Sequence, residues 1–139
     1  MPVNSAISKT NIKLLYMALL IKEPSIIKAA GNKEKIIKEY FGNVNSRTSE
    51  VSIAKMKSPR GWEEPAQTPQ FDEYTLVLKG KLKIKTISEE ITVSEGEAVM
   101  TGKGEWVRYS TPYEGGAEYI AICLPAFSPS LVNRDIEEL

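Results

Sequence analysis

A chain of 139 residues suits one folded domain, and 18 basic residues against 18 acidic ones leave it without net charge. That balance, with no basic run of five or more, excludes the electrostatic footprint of a nucleic-acid or anionic-membrane binder. The lone cysteine, Cys123, rules out an intrachain disulfide and a multi-thiolate zinc site, while the lack of any histidine removes Ser-His-Asp and Cys-His catalysis and the commonest ligand of transition metals.

In chain order, KLLYMALLI (13–21) is shorter than the roughly 20 apolar residues of a membrane span. KEPS follows it where a cleavage site would need small residues. Residues 1–23 therefore read as an extension of a domain spanning 24–139, and the single thiol suits a cytoplasmic protein. PSIIKAAG (24–31) reads as extended and stops at Gly31. NKEKIIKEYFG (32–42) reads as a short N-terminal helix, with Asn32 as cap, an apolar face of Ile36, Ile37, Tyr40 and Phe41, and Gly42 past the end. VSIAKM (51–56) returns to strand alternation.

From residue 71 onward every signal is β. FDEYTLVLKG is read as a strand that turns at Gly80, and KLKIKTI (81–87) alternates lysine with Leu82, Ile84 and Thr86. ITV (91–93), AVM (98–100), EWVRYS (105–110) and AEYIAICL (117–124) follow, separated by glycine-bearing turns, and the tail allows one helical turn. Short strands at this spacing predict an all-β sandwich or barrel. Lys81, Lys83 and Lys85 read as a solvated outer face that discourages edge pairing.

The stretch GWEEPAQTPQFDEYTLVLKG (61–80) concentrates carboxylates at Glu63, Glu64, Asp72 and Glu73. Its spacing resembles the first motif of the cupin superfamily: Gly61 opens it, Glu73 stands at the glutamate and Gly80 closes it. Gln67 and Pro69 stand where that motif has its two histidines. Gly96, Gly102–Lys103–Gly104, Val107 and Thr111 resemble the second motif, with Val107 at its histidine, so the core motifs span 61–111. The chain is also similar to the cupin domain of ethanolamine-utilisation proteins. The resemblance implies a cupin-type jelly-roll β-barrel and a homodimer, for which LLYMALLI is the candidate contact strand. It also implies a pocket that has lost its histidine-held metal, since of the ligand set only Glu73 remains, with Gln67 as a weak neutral donor.

Strand alternation then places side chains. If Glu73 faces inward, so do Thr75 and Val77; if Val107 does, so do Glu105 and Tyr109. The parity of the last strand is open between Tyr119, Ala121, Cys123 and Glu118, Ile120, Ile122. The expected lining is Gln67, Glu73, Glu105, Tyr109, Tyr119 and Glu64. Three readings follow: a metal-free pocket for a small polar molecule with no cofactor; an isomerase or lyase on a small sugar or carboxylate; or a structural, accessory oligomer. In the second, Glu73 acts as acid or base, or as a ligand to Mg or Mn with Glu64, Gln67 and Tyr109. Trp62 and Trp106 are expected in the core or at a subunit contact, and Cys123 is expected to be buried and inert.

Overall fold

The computed structural model describes residues 17–136. The proposed contact segment is therefore only partly in view: residues 1–16 lie outside the described residues, and 17–23 form no strand. The described residues form nine antiparallel strands: β1 (Ser25–Ile27), β2 (Ile36–Phe41), β3 (Ser52–Ser58), β4 (Trp62–Glu63), β5 (Asp72–Thr86), β6 (Glu90–Ser94), β7 (Ala98–Thr101), β8 (Val107–Thr111) and β9 (Ala117–Leu124). One helical turn, α1 (Pro129–Val132), closes the tail as expected. Among the described residues no helix is long and apolar enough to cross a membrane.

Two of the sequence expectations fail. The segment read as a helix over 32–42 is strand β2, hydrogen-bonded to β1 on one side and β3 on the other. Ile36, Ile37, Tyr40 and Phe41 are β-branched or aromatic, and they fit a pleated sheet better than the helix their spacing also permits. Two flanking strands decide the matter, because nearly every backbone group of β2 then finds a partner. Seen as a strand, β2 turns Ile37 and Glu39 toward the interior and leaves Ile36 and Lys38 exposed.

Gly80 does not end a strand either. β5 runs through it for 15 residues and belongs to both sheets. Before Gly80 the strand lies between β7 and β9; after it, the same strand lies between β6 and β8. The sheets read β1-β2-β3-β9-β5-β7 and β4-β8-β5-β6, and β5 curls one onto the other. The curl sits at a register shift between Val77 and Lys79, next to Gly80 at φ 74°. A β-carbon on Gly80 would strike the carbonyl oxygen of Gly116. Glycine is required twice there, for its conformation and for the approach of the neighbouring backbone.

Inside the curl are two apolar clusters. Trp62, Val77, Leu82, Ile84 and Val107 form most of the larger one and are almost fully buried, each worth roughly 1.5–3 kcal/mol where aliphatic. Phe71, Cys123 and Val132 form the smaller, with Phe127 and Leu131 against it. Trp62 is thus a core residue, and its Nε1 donates to the carbonyl of Ala30 at 3.0 Å. The lysine stripe points outward as expected, Lys83 pairing with Glu90 at 3.2 Å, while Leu82, Ile84 and Thr86 are buried.

Gly80→Ala is expected to destabilise the protein by more than the ~1–2 kcal/mol that a left-handed alanine alone costs, measured by urea unfolding. Gly96→Ala, at φ 82° with nothing within 4 Å of the new β-carbon, should cost no more than that conformational term.

Candidate functional site

Between the two apolar clusters the curled sheet encloses a cavity of about 70 Å³. Each wall has a distinct origin. β5 supplies Glu73 and Thr75, β8 supplies Tyr109, and β9 supplies Tyr119, Ala121 and Cys123. The parity left open in the last strand is settled: Tyr119, Ala121 and Cys123 are buried, while Glu118, Ile120 and Ile122 face the other way. Glu64 and Gln67 come from the loop between β4 and β5, where Glu64 N donates to Tyr109 O at 3.2 Å. Gln67 N donates to Val107 O and Val107 N to Gln67 O, both at 2.9 Å.

Five of the six expected lining residues therefore meet: Glu64, Gln67, Glu73, Tyr109 and Tyr119. Glu105 does not. β8 begins only at Val107, so alternation does not extend back to 105, and the Glu105 carboxylate folds over its own turn to accept from Gly102 N at 3.2 Å. It is exposed. Pro69 and Val107 are buried but do not line the cavity. Trp106 is half-buried, and its Nε1 donates to Asp135 Oδ2 at 3.0 Å.

The polar groups form two short chains. Tyr109 Oη donates to Glu73 Oε1 at 3.2 Å and shares a 2.8 Å hydrogen bond with Thr101 Oγ1. Tyr119 Oη shares a 2.9 Å hydrogen bond with Ser58 Oγ. Burial, together with the nearby Glu64 carboxylate, raises Glu73 to about 7, against the pull of Lys35 and of the Tyr109 hydrogen bond. Burial raises Glu64 too, opposed by Lys35 and Arg134. Tyr109 is pushed well up by burial and by Glu73. Burial likewise pushes the Cys123 thiol up, as an inert buried cysteine requires.

Sequence reading missed Lys35 and Arg134, which also line the cavity. Lys35 was hidden by the helix assignment; strand alternation would have put it on the face of Ile37 and Glu39. Arg134 follows α1 in irregular chain, where no periodicity marks it. Burial alone would pull Lys35 down, but Tyr119, Glu64 and Glu73 outweigh it and its ammonium is held above its ordinary range. Glu39 is also buried against the cavity, but its Oε2 is committed to the backbone N–H groups of Val44 and Asn45 at 3.0 and 2.8 Å. Among the described residues no three His, Cys, Asp or Glu side chains converge to hold a metal ion.

No family sequence profile matches the chain. Over 101 residues, 73% of its length, it is 38% identical to a protein of Myxococcus xanthus named endoribonuclease YbeY, and it spans only 34% of that protein. Among solved structures it is similar to an ethanolamine utilization protein Q from Salmonella typhimurium, with 16% identity and a TM-score of 0.59 over 76% of this chain and 98% of that one. An RmlC-like cupin from Shewanella frigidimarina aligns with a TM-score of 0.63 and 14% identity, over 81% of this chain and 94% of the other. These likenesses show the fold, which is the cupin fold.

The raised Glu73 carboxyl sets a sign for stability against pH. The folded protein keeps this proton up to about 7, while the unfolded chain releases it near 4.5. Its stabilising contribution is complete below the lower value and is lost as pH rises through the higher one. Wild type should therefore lose melting temperature between these values, and Glu73→Gln should lose less of it, Glu64 retaining its own share. Tyr109→Phe, which removes a donor to the carboxylate, should move the Glu73 midpoint above about 7 in a carboxyl-carbon NMR titration.

Proposed function

We propose that this cupin-fold protein binds a small polar molecule in the cavity, without a histidine-held metal. The observation that carries the reading is the convergence of Glu64, Gln67, Glu73, Tyr109 and Tyr119 on one cavity, with Glu73 and Tyr109 hydrogen-bonded to each other. A few polar groups fixed in an otherwise apolar lining are what orients a small organic ligand. The positions equated with cupin histidines hold Gln67, Pro69 and Val107, of which only Gln67 reaches the cavity. Gln67 and Glu73 together make a poor site for a transition metal, which is held tightly by three or four protein ligands. In this reading residues 24–139 form the binding domain, and LLYMALLI within the 1–23 extension is the candidate contact with a second copy.

One observation supports a second reading, an isomerase or lyase in which Glu73 moves a proton. A carboxyl raised to about 7 and hydrogen-bonded to a tyrosine is suited to acid–base work near neutrality. The Mg or Mn version would draw on the oxygen donors of Glu64, Gln67, Glu73 and Tyr109, which line the one cavity, with only two of them carboxylates. The nuclease activity in the Myxococcus xanthus protein's name stays with that protein. The shared segment is about a third of it, and a chain with no net charge exerts no overall pull on RNA.

Elemental analysis of the purified protein, with a thermal-shift panel of divalent ions, tests the metal-free reading. Metal far below one ion per chain and no ion-dependent shift are expected for wild type and for Glu73→Gln alike. Stoichiometric metal that disappears in Glu73→Gln would overturn the reading.

A further inference from the structure

Lys35 lies just before β2 with its ammonium turned onto the face of two aromatic rings. Its Nζ sits 4.1 Å from the centroid of Trp62 and 5.2 Å from that of Tyr119. It lines the cavity, and among the described residues it makes no ion pair within 4.0 Å. Cation–π contact contributes about 0.5–2 kcal/mol, less than a cation gives up on leaving water. Tyr119 and Glu64 help to hold the charge without forming an ion pair with it. The ammonium is therefore fixed in place by aromatic walls, with its direct anionic partner missing.

A second group nearby is equally unsatisfied. Gln67 is 4% exposed, and its Oε1 is buried with no hydrogen-bond partner. A buried amide oxygen left in that state costs about 1–3 kcal/mol, which a ligand hydroxyl could recover. The charge balance of the walls points the same way. Glu73 keeps its proton up to about 7, while the Lys35 ammonium and the Arg134 guanidinium both line the cavity. Size narrows the choice: an apolar cavity of about 150 Å³ takes a benzene, so one of about 70 Å³ suits a molecule of only a few heavy atoms.

We propose that the cavity takes a small hydroxy-carboxylate, whose carboxylate binds Lys35 and whose hydroxyl faces Gln67 and Glu73. This rests on the reading of the cavity as a small-molecule site, and adds to it the charge of the ligand and the residue that reads that charge. Lys35 is then a binding residue and Trp62 its positioning partner, with the aromatic face keeping the ammonium aimed while the cavity is empty.

Three compounds of four or five heavy atoms and one hydroxyl, differing in charge, make the test: glycolate, neutral glycolamide and cationic ethanolamine. Binding of each is measured by calorimetry to wild type, Lys35→Met and Lys35→Arg, with circular dichroism to establish that both variants fold. Glycolate should bind wild type more tightly than the other two. Lys35→Met should weaken glycolate by at least about tenfold, the scale of a charge-assisted hydrogen bond, and Lys35→Arg should restore much of it. Tighter binding of glycolamide or ethanolamine, or glycolate binding that Lys35→Met leaves unchanged, would overturn the charge assignment while the small-molecule reading stands. No binding of any of the three, with neutral ethylene glycol bound instead, overturns the assignment alone; no binding of the three or of ethylene glycol overturns both.

Discussion

The architecture depends on one strand that serves two sheets. β5 hydrogen-bonds to β7 and β9 before Gly80 and to β6 and β8 after it, so four of the other eight strands are positioned by its backbone. A straight strand cannot do this without leaving one sheet flat and open. The left-handed glycine and the adjoining bulge provide the bend, and the Gly116 carbonyl fills the space a side chain would occupy. Everything placed in the interior follows from that bend, because side chains of β5, β8 and β9 converge only when the sheets curl toward one another.

Much of this was legible in the sequence wherever a period-2 pattern ran unbroken. The inward face of β5 was readable from Glu73, Thr75 and Val77, and Val107 and Tyr109 shared a face as alternation required. The reading failed where two periods fit the same residues. Ile36, Ile37, Tyr40 and Phe41 satisfy a helical stripe as well as a strand, and the pairing with β1 and β3 that decides between them is a long-range fact. Glu105 failed for a smaller reason, since alternation was carried two residues past the point where the strand begins. Gly80 shows the converse limit: a glycine between two strand patterns marks either a turn or a bend, and only its approach to Gly116 distinguishes them.

The site was partly legible for the same reasons. Residues on regular strands were found, and those on irregular chain were found only when a motif drew attention to them, as with Glu64 and Gln67. Lys35 and Arg134 had neither advantage. Their absence biases the sequence picture toward acid, because the carboxylates stood out by clustering while the compensating cations were scattered. With both included, carboxylates and cations share the same walls.

The segment that carries Lys35 also has a bearing on time. Residues 30–33 are strapped to residues 60–63: Ala30 O accepts from Trp62 Nε1, Asn32 exchanges backbone and side-chain hydrogen bonds with Gly61 and Glu63, and Lys33 Nζ reaches Arg60 O. Gly31 lies in this strap against the indole, where a β-carbon would collide with it. Ile27, Lys28, Ala30 and Lys35 from the same stretch wall the cavity. Lifting the strap breaks these bonds together and withdraws the Lys35 ammonium from its aromatic seat in the same motion. Exchange of the cavity's contents by that route would need these hydrogen bonds, and any contact the contents make with Lys35, to break together.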